Sequence, residues 1–192
     1  MANKKSTNTA ILGMFSAVIV VLQLLSYFIK IGTFNLSLVL IPVVLGAYLY
    51  GEKIGAVLGA VFGVTVTVCC FTGLDAGGYI LVSASPFLTS LVCIVKGAAA
   101  GFVAGLVPKA FGNRKTTATI MLSAIAAPLV NTGLFVGAMF LFFGDILASW
   151  AGGTNIVTYA IVGLVGINFI IELVLNVVMA PSLLRVSKAI KK

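Results

Sequence analysis

The sequence predicts an all-α integral membrane protein, a bundle of six transmembrane helices forming a single domain over residues 1–192. Sixty-one per cent of its residues are hydrophobic and only 8% are charged, whereas soluble domains carry about 25% charged residues. The apolar residues fall into six runs, most of them near the roughly 20 residues that a helix needs to cross a bilayer. These runs are residues 9–28, 37–50, 54–71, 87–107, 117–143 and 156–184.

The first two runs differ in length and in their small residues. The first carries Ala10, Gly13 and Ala17 at helical spacing, a small face that can pack inside the bundle or against another membrane subunit. The second is short for a span and contains Pro42. We therefore expect it to begin as a connector and to cross obliquely or with a kink.

The third and fourth runs each contain three glycines at strict four-residue spacing. Glycines placed in this way lie on one face of a helix and let a neighbouring helix approach closely. We interpret the two ridges as helix-packing surfaces rather than ligand contacts. They consist of Gly55, Gly59 and Gly63, and of Gly97, Gly101 and Gly105.

The fifth and sixth runs carry polar side chains within apolar surroundings. Asn131 follows Pro128 in the fifth run, and the sixth run holds Asn168, Glu172 and Asn176. The connectors 29–37, 72–86 and 144–155 are rich in Gly, Ser and Asn. We expect these three connectors to be loops that fold over a cavity between the helices.

The positive charges predict an orientation. If both termini are cytoplasmic, ten Lys and Arg residues lie on the inner side and Lys30 alone lies on the outer side, which is the bias that inner loops of membrane proteins show. The formal net charge of +8 is thus explained by topology. Because the basic residues cluster at membrane boundaries rather than along one stripe, we expect no nucleic-acid partner.

The residue types on which most enzymes and metal sites depend are missing. The chain has no His, and Cys69, Cys70 and Cys93 lie in apolar runs without metal-type spacing. It also lacks the phosphate-binding motif GxxxxGK[ST]. We therefore expect no catalytic site, no metal and no cofactor. If ATP hydrolysis drives transport, the ATPase must be another chain.

Lys96 is the most unusual residue of the sequence. It lies about ten residues into the fourth run, or roughly 15 Å from the outer end of a helix, where a charge costs about 2.5–3.5 kcal/mol and needs a partner. Asn131, Asn168 and Glu172 lie at comparable depth. Two interpretations are open: Lys96 and Glu172 form an ion pair that fixes the bundle, or the four residues form a pocket in which Lys96 binds a carboxylate. Both hold if the pair opens when a ligand arrives.

Polar residues of the outer connectors complete the candidate substrate-binding set, namely Asn35, Tyr79, Ser83 and Ser85. A different class of function is a stand-alone secondary carrier or channel in which Lys96 and Glu172 relay an ion. The sequence shows no internal inverted repeat of the kind that many secondary carriers contain.

Several stretches resemble the substrate-binding S-components of energy-coupling-factor (ECF) vitamin transporters, and the resemblance covers essentially the whole chain. Residues 41–63, which include Pro42 and the first glycine ridge, are similar to the second and third helices of that family. Residues 83–87 (Ser-Ala-Ser-Pro-Phe) and 128–132 (Pro-Leu-Val-Asn-Thr) resemble the pantothenate-type branch.

The resemblance implies a high-affinity vitamin-binding subunit in the cell membrane of a bacterium. Such a subunit docks onto a transmembrane coupling subunit with two cytoplasmic ATPases and delivers its vitamin inward. The docking contact carries over to Ala10, Gly13 and Ala17, with Gly13 at a position where the family often has alanine.

Pantothenate is the vitamin that the residues suit first. Its carboxylate, amide and two hydroxyls match one Lys with a set of Asn, Ser and Glu groups. Riboflavin, which favours aromatic stacking, and folate, which needs room for a pterin and a glutamate tail, are the alternatives.

Overall fold

The structure, a computed structural model, describes residues 4–28, 30–31, 34–35, 38–113 and 116–190, with side chains in 9–28, 38–113, 116–166, 169–182 and at 185. Within these ranges the chain consists mainly of helices joined by turns, with two antiparallel two-residue strands, β1 (Lys30–Ile31) and β2 (Phe34–Asn35). The helices are α1 (Lys4–Ser26), α2 (Leu40–Tyr50), α3 (Glu52–Phe71), α4 (Ala76–Ala84), α5 (Pro86–Ala110), α6 (Thr117–Phe142), α7 (Gly144–Ala151), α8 (Ile156–Thr158) and α9 (Gly166–Ile190), with a π-helical segment at Tyr159–Val165.

The antiparallel pair α3 and α5 forms the centre of the bundle, and its contact is made by the two glycine ridges. A β-carbon on Gly59 would overlap the carbonyl oxygen of Gly97, and one on Gly101 would overlap the carbonyl oxygen of Gly55. Only glycine permits backbones to approach this closely. The prediction that the ridges are packing surfaces is confirmed.

Helix α2 is shorter than the second predicted span. Its 11 residues measure about 16 Å, roughly half of a hydrocarbon core. Val43, Val44 and Ala47 are fully buried, so α2 is an interior helix. Pro42 falls in its first turn, where a missing N–H breaks no intrahelical hydrogen bond.

Two predicted loops are wrong, because helices occupy most of them. Residues 76–84 of the connector 72–86 form α4, whose first turn is capped by Asp75 through a 3.1 Å hydrogen bond from the Gly78 amide. Residues 144–151 of the connector 144–155 form α7. In both places the Gly and Ser content predicts a loop, but capping and burial of Leu81 and Leu147 favour a helix.

The sixth predicted run is not one uniform helix. It contains α8, the π-helical segment and α9, and Gly166 at the start of α9 has a φ of +29°. That conformation strongly favours glycine. The break places the residues before Gly166 beside α7 and leaves the rest to pack against α6 and α2.

The two ends of the bundle differ in what they carry. At one, here called the turn end, lie the turns at Gly51 and at residues 111–113. An ion pair of 2.6 Å joins Lys109 to Glu52 there, and the Tyr48 hydroxyl donates a 3.0 Å hydrogen bond to the Thr116 carbonyl. The other, here called the α4–α7 end, carries those two short helices.

The protein is an all-α membrane protein, as predicted. Among the described helices, four are long and apolar enough to cross a membrane, namely α1, α3, α5 and α6. A fifth span results if α7 and the segment Ile156–Val165, which meet at 90°, are one broken crossing. The predicted count of six spans and the cytoplasmic position of both termini stay predictions.

Candidate ligand-binding site

A cavity of about 580 Å³ lies within the bundle toward the α4–α7 end. Side chains from α1, α3, α4, α5, α6, α7, α9 and the π-helical segment line it. The volume is in the range of small-molecule sites, which run from about 300 to 1,000 Å³.

Lys96 is the one cation among the described side chains that line this cavity. Its ammonium lies 4.6 Å from the centroid of the Phe135 ring, which is within the range of a cation–π interaction. Lys96 and Glu172 form no ion pair, although both line the cavity. The group that the structure places against the Lys96 ammonium is therefore the face of an aromatic ring.

Two of the other deep candidates lie in the same cavity and are more than nine-tenths buried. Asn131 on α6 and Glu172 on α9 are each 8% exposed. The Asn131 Oδ1 has no hydrogen-bond partner among the described residues. Asn176, one turn beyond Glu172, donates a hydrogen bond of 2.8 Å to the Glu172 carbonyl. The structure thus brings together a lysine, a carboxylate and an amide from three different helices.

The remaining candidates are not brought to this cavity by the described structure. The side chains of Asn35 and Asn168 lie outside the described residues. Tyr79 is half-exposed and Ser83 donates to its carbonyl at 2.8 Å, while the Ser85 carbonyl accepts from the Thr89 hydroxyl at 2.9 Å. None of these last three candidates is among the lining residues.

Many lining residues were not predicted, and five of them are aromatic: Tyr27, Phe62, Phe135, Trp150 and Tyr159. A further one, Gln23 on α1, is 5% exposed, and its Oε1 has no hydrogen-bond partner among the described residues. A lone amide within the apolar first run is a signal that the sequence offers. The aromatic positions are not distinguishable in sequence from ordinary lipid-facing or core residues.

Among the described side chains, two carboxyl groups and one ammonium line the cavity. Asp75 is the second carboxylate; it caps α4 through the Gly78 amide and lies 4.0 Å from the Cys70 thiol. Asp75 therefore has a local structural role. The deeper charges are Lys96 and Glu172.

The face of α1 that carries the small residues points out of the bundle. Ala10, Gly13 and Ala17 are all exposed, and no atom lies within 4 Å of the place where a Gly13 β-carbon would stand. Met14 and Val18 on the same face are also exposed. Large exposed apolar surfaces of this kind contact lipid or another membrane protein.

The arrangement can bind a small molecule and fix its orientation. The ammonium offers a positive charge, the Gln23 and Asn131 oxygens accept hydrogen bonds, and the Glu172 carboxylate accepts further ones. The apolar and aromatic walls can cover the hydrocarbon part of a ligand.

Comparison with known proteins agrees with this arrangement. The sequence model of the family "ECF transporter, substrate-specific component" matches residues 8–184. The chain is also 26% identical over 194 residues to the "Pantothenic acid transporter PanT" of Lactococcus lactis subsp. cremoris (strain MG1363), an alignment that covers 95% of this chain and 94% of that protein.

Membership of this family implies a non-catalytic, substrate-binding subunit for vitamin uptake that works together with an ECF module. The predicted resemblance is confirmed. With a family match that extends over nearly all of its helices, the chain belongs to the substrate-specific components of ECF transporters.

Proposed function

We propose that the protein binds pantothenate at the outer side of the cytoplasmic membrane of a bacterium and delivers it to the cytoplasm as part of an ECF complex. The observation that carries the proposal is the position of Lys96, a cavity-lining cation with no carboxylate partner among the described residues. An intramembrane charge without a counter-ion is unfavourable. A ligand carboxylate would supply the missing partner.

The other polar groups of the cavity suit the rest of pantothenate. Its amide N–H and two hydroxyls are hydrogen-bond donors, and the unpartnered oxygens of Gln23 and Asn131 are acceptors. Glu172 can accept one more hydrogen bond from a hydroxyl. Val66 and Leu81 line the cavity and can cover the two methyl groups of the vitamin. The similarity of the chain to the pantothenic acid transporter of Lactococcus supports the same ligand.

Charge distribution supports an outward-opening cavity. Lys53 and Lys109 lie beside the turn end, in a chain whose terminal segments are also basic. Under the positive-inside rule this end is cytoplasmic. The α4–α7 end would then face outside, and a ligand from the medium would reach the cavity without crossing the membrane.

Docking onto a transmembrane coupling subunit with two ATPases is the second half of the proposal. The exposed face of Ala10, Gly13 and Ala17 on α1 supports it, because small residues let a partner helix come close. ATP hydrolysis on the partner chains would then drive delivery, and this chain would contribute binding and docking only.

A vitamin with a flat ring is the second candidate ligand. Riboflavin favours aromatic stacking and folate carries a flat pterin, and aromatic side chains from several helices line the cavity. Aromatic rings pack well on such walls. A panel of vitamins must therefore include both.

Mass spectrometry of the ligand that remains with detergent-purified protein tests the proposal. Pantothenate bound in near-stoichiometric amount, and displaced by added pantothenate but not by riboflavin or folate, would support it. A ring-bearing vitamin in its place would contradict the ligand assignment. Proton-gradient-driven uptake by liposomes that hold this chain without ATPases would contradict the ECF mechanism and favour a secondary carrier.

A further inference from the structure

The last turn of α1 forms one wall of the cavity. Gln23, Ser26 and Tyr27 all line it, and Gln23 and Ser26 are nearly inaccessible. The Ser26 hydroxyl donates a 2.7 Å hydrogen bond to the Gln23 carbonyl, so its donor is used within the helix. The buried polar atom of this wall that has no partner among the described residues is the Gln23 Oε1.

The Gln23 amide is held by one hydrogen bond and lacks another. Its Nε2 donates to the Tyr27 hydroxyl at 2.9 Å, which fixes the plane of the amide. Its Oε1 has no partner among the described residues. Buried polar atoms of native proteins are nearly always paired, and an unpaired one calls for an explanation.

We propose that Gln23 is a specificity-determining residue whose Oε1 accepts a hydrogen bond from an N–H or O–H of the ligand. Three observations converge on it: the side chain is 5% exposed, it lines a cavity of about 580 Å³, and its acceptor is free while its donor is bound. The Tyr27 hydroxyl holds the amide in place. The inference rests on the proposed function for the identity of the ligand.

The chemistry gives Gln23 a role different from that of Lys96. Lys96 distinguishes ligands that carry a carboxylate from those that do not, whereas Gln23 distinguishes ligands by a neutral donor. A site that is built to accept a donor rejects an analogue without it, because the buried oxygen is then left unpaired.

A double-mutant cycle between protein and ligand tests the inference by calorimetry. Gln23→Met keeps the length of the side chain and removes the acceptor. The ligands are pantothenate and three analogues, which lack the primary hydroxyl, the secondary hydroxyl or the amide N–H. We expect Gln23→Met to raise the Kd for pantothenate by about tenfold. The analogue that lacks the donor bound by Gln23 should bind wild-type protein and the variant with equal affinity, because that hydrogen bond is already missing.

Leu24→Ala, an exposed position on the same turn, is the control variant and should bind as wild type does. Thermal unfolding of each purified variant checks that the bundle is intact. Gln23→Met removes an unpaired buried acceptor but also the donor to the Tyr27 hydroxyl, so we expect only a small fall in the unfolding temperature. If Gln23→Met and wild type bind pantothenate with equal affinity, the role of Gln23 is overturned and the proposed function stands. The same holds if Gln23→Met loses the same affinity for pantothenate and for all three analogues. Wild-type protein that binds no pantothenate would overturn the proposed function and this inference with it.

Discussion

The ammonium of Lys96 lies 4.6 Å from the centroid of the Phe135 ring, one on α5 and the other on α6. Lys96 and Glu172 form no ion pair in the described structure, and the role of Lys96 as the residue that binds a carboxylate stays a prediction. A cation–π contact contributes about 0.5–2 kcal/mol, less than the cost of placing a charge deep in a bilayer. The ring thus holds the ammonium inside the cavity and leaves it able to bind an anion.

Phe135→Leu should weaken the binding of ligands that carry a carboxylate, because it removes the ring that positions Lys96. We expect the Kd for pantothenate to rise by about three- to tenfold. The alcohol that corresponds to pantothenate, which lacks the charge, should bind both proteins alike. Phe135→Tyr keeps the ring and serves as the control. Equal losses for the acid and the alcohol would mean that Phe135 only fills space.

Glu172 should act as a hydrogen-bond acceptor rather than as the counter-ion of Lys96. Glu172→Gln keeps an acceptor and removes the charge, so its Kd for pantothenate should stay within about threefold of the wild-type value. Glu172→Leu removes the acceptor as well, and its Kd should rise by about tenfold. Titration calorimetry of both variants measures the difference. If Gln and Leu weaken binding equally, the charge is what the site needs.

The contact between α3 and α5 should tolerate no added carbon at Gly59. A β-carbon there overlaps the Gly97 carbonyl, so Gly59→Ala should lower the free energy of unfolding by about 1–3 kcal/mol. Gly133→Ala on α6, where no atom lies within 4 Å of the new carbon, is the matched control and should unfold as wild type does. Denaturation in mixed micelles, followed by circular dichroism, compares them. Identical unfolding curves would contradict the packing argument.

The exposed face of α1 should be needed for docking but not for ligand binding. Gly13→Leu and Ala17→Leu place bulk on that face, and we expect them to bind pantothenate with wild-type affinity while failing to co-purify with the coupling subunit and ATPases. Gly133→Leu puts the same bulk on an exposed face of α6 and should assemble normally. Assembly of the two α1 variants at wild-type levels would place the docking surface elsewhere.

The parts of the fold that follow from regular spacing could be predicted from the sequence. Glycines four residues apart must share a helix face, so both packing ridges were predictable, whereas the structure shows that they pack against each other at Gly59 and Gly97. Counting residues from predicted helix ends also placed Lys96, Asn131 and Glu172 at similar depth, and all three line one cavity.

The parts that depend on tertiary packing could not be predicted. Helix α4 begins where Asp75 caps a Gly- and Ser-containing segment, whose composition by itself indicates a loop. The π-helical segment ends at Gly166, and nothing in an apolar run separates π from α geometry. Phe135 looks like any membrane-facing aromatic residue until α5 places Lys96 over its ring.

Lys96 is proposed to bind the carboxylate of the vitamin, and calorimetry of the Lys96→Met variant is the decisive test of that contact. A hydrogen bond to a charged group is worth about 1.5–3 kcal/mol, so the Kd for pantothenate should rise by roughly tenfold or more. The variant should also lose the preference of wild type for pantothenate over its uncharged alcohol, while Lys53→Met, exposed at the turn end, changes neither. A Lys96→Met protein that is folded and binds pantothenate as tightly as wild type would contradict the account.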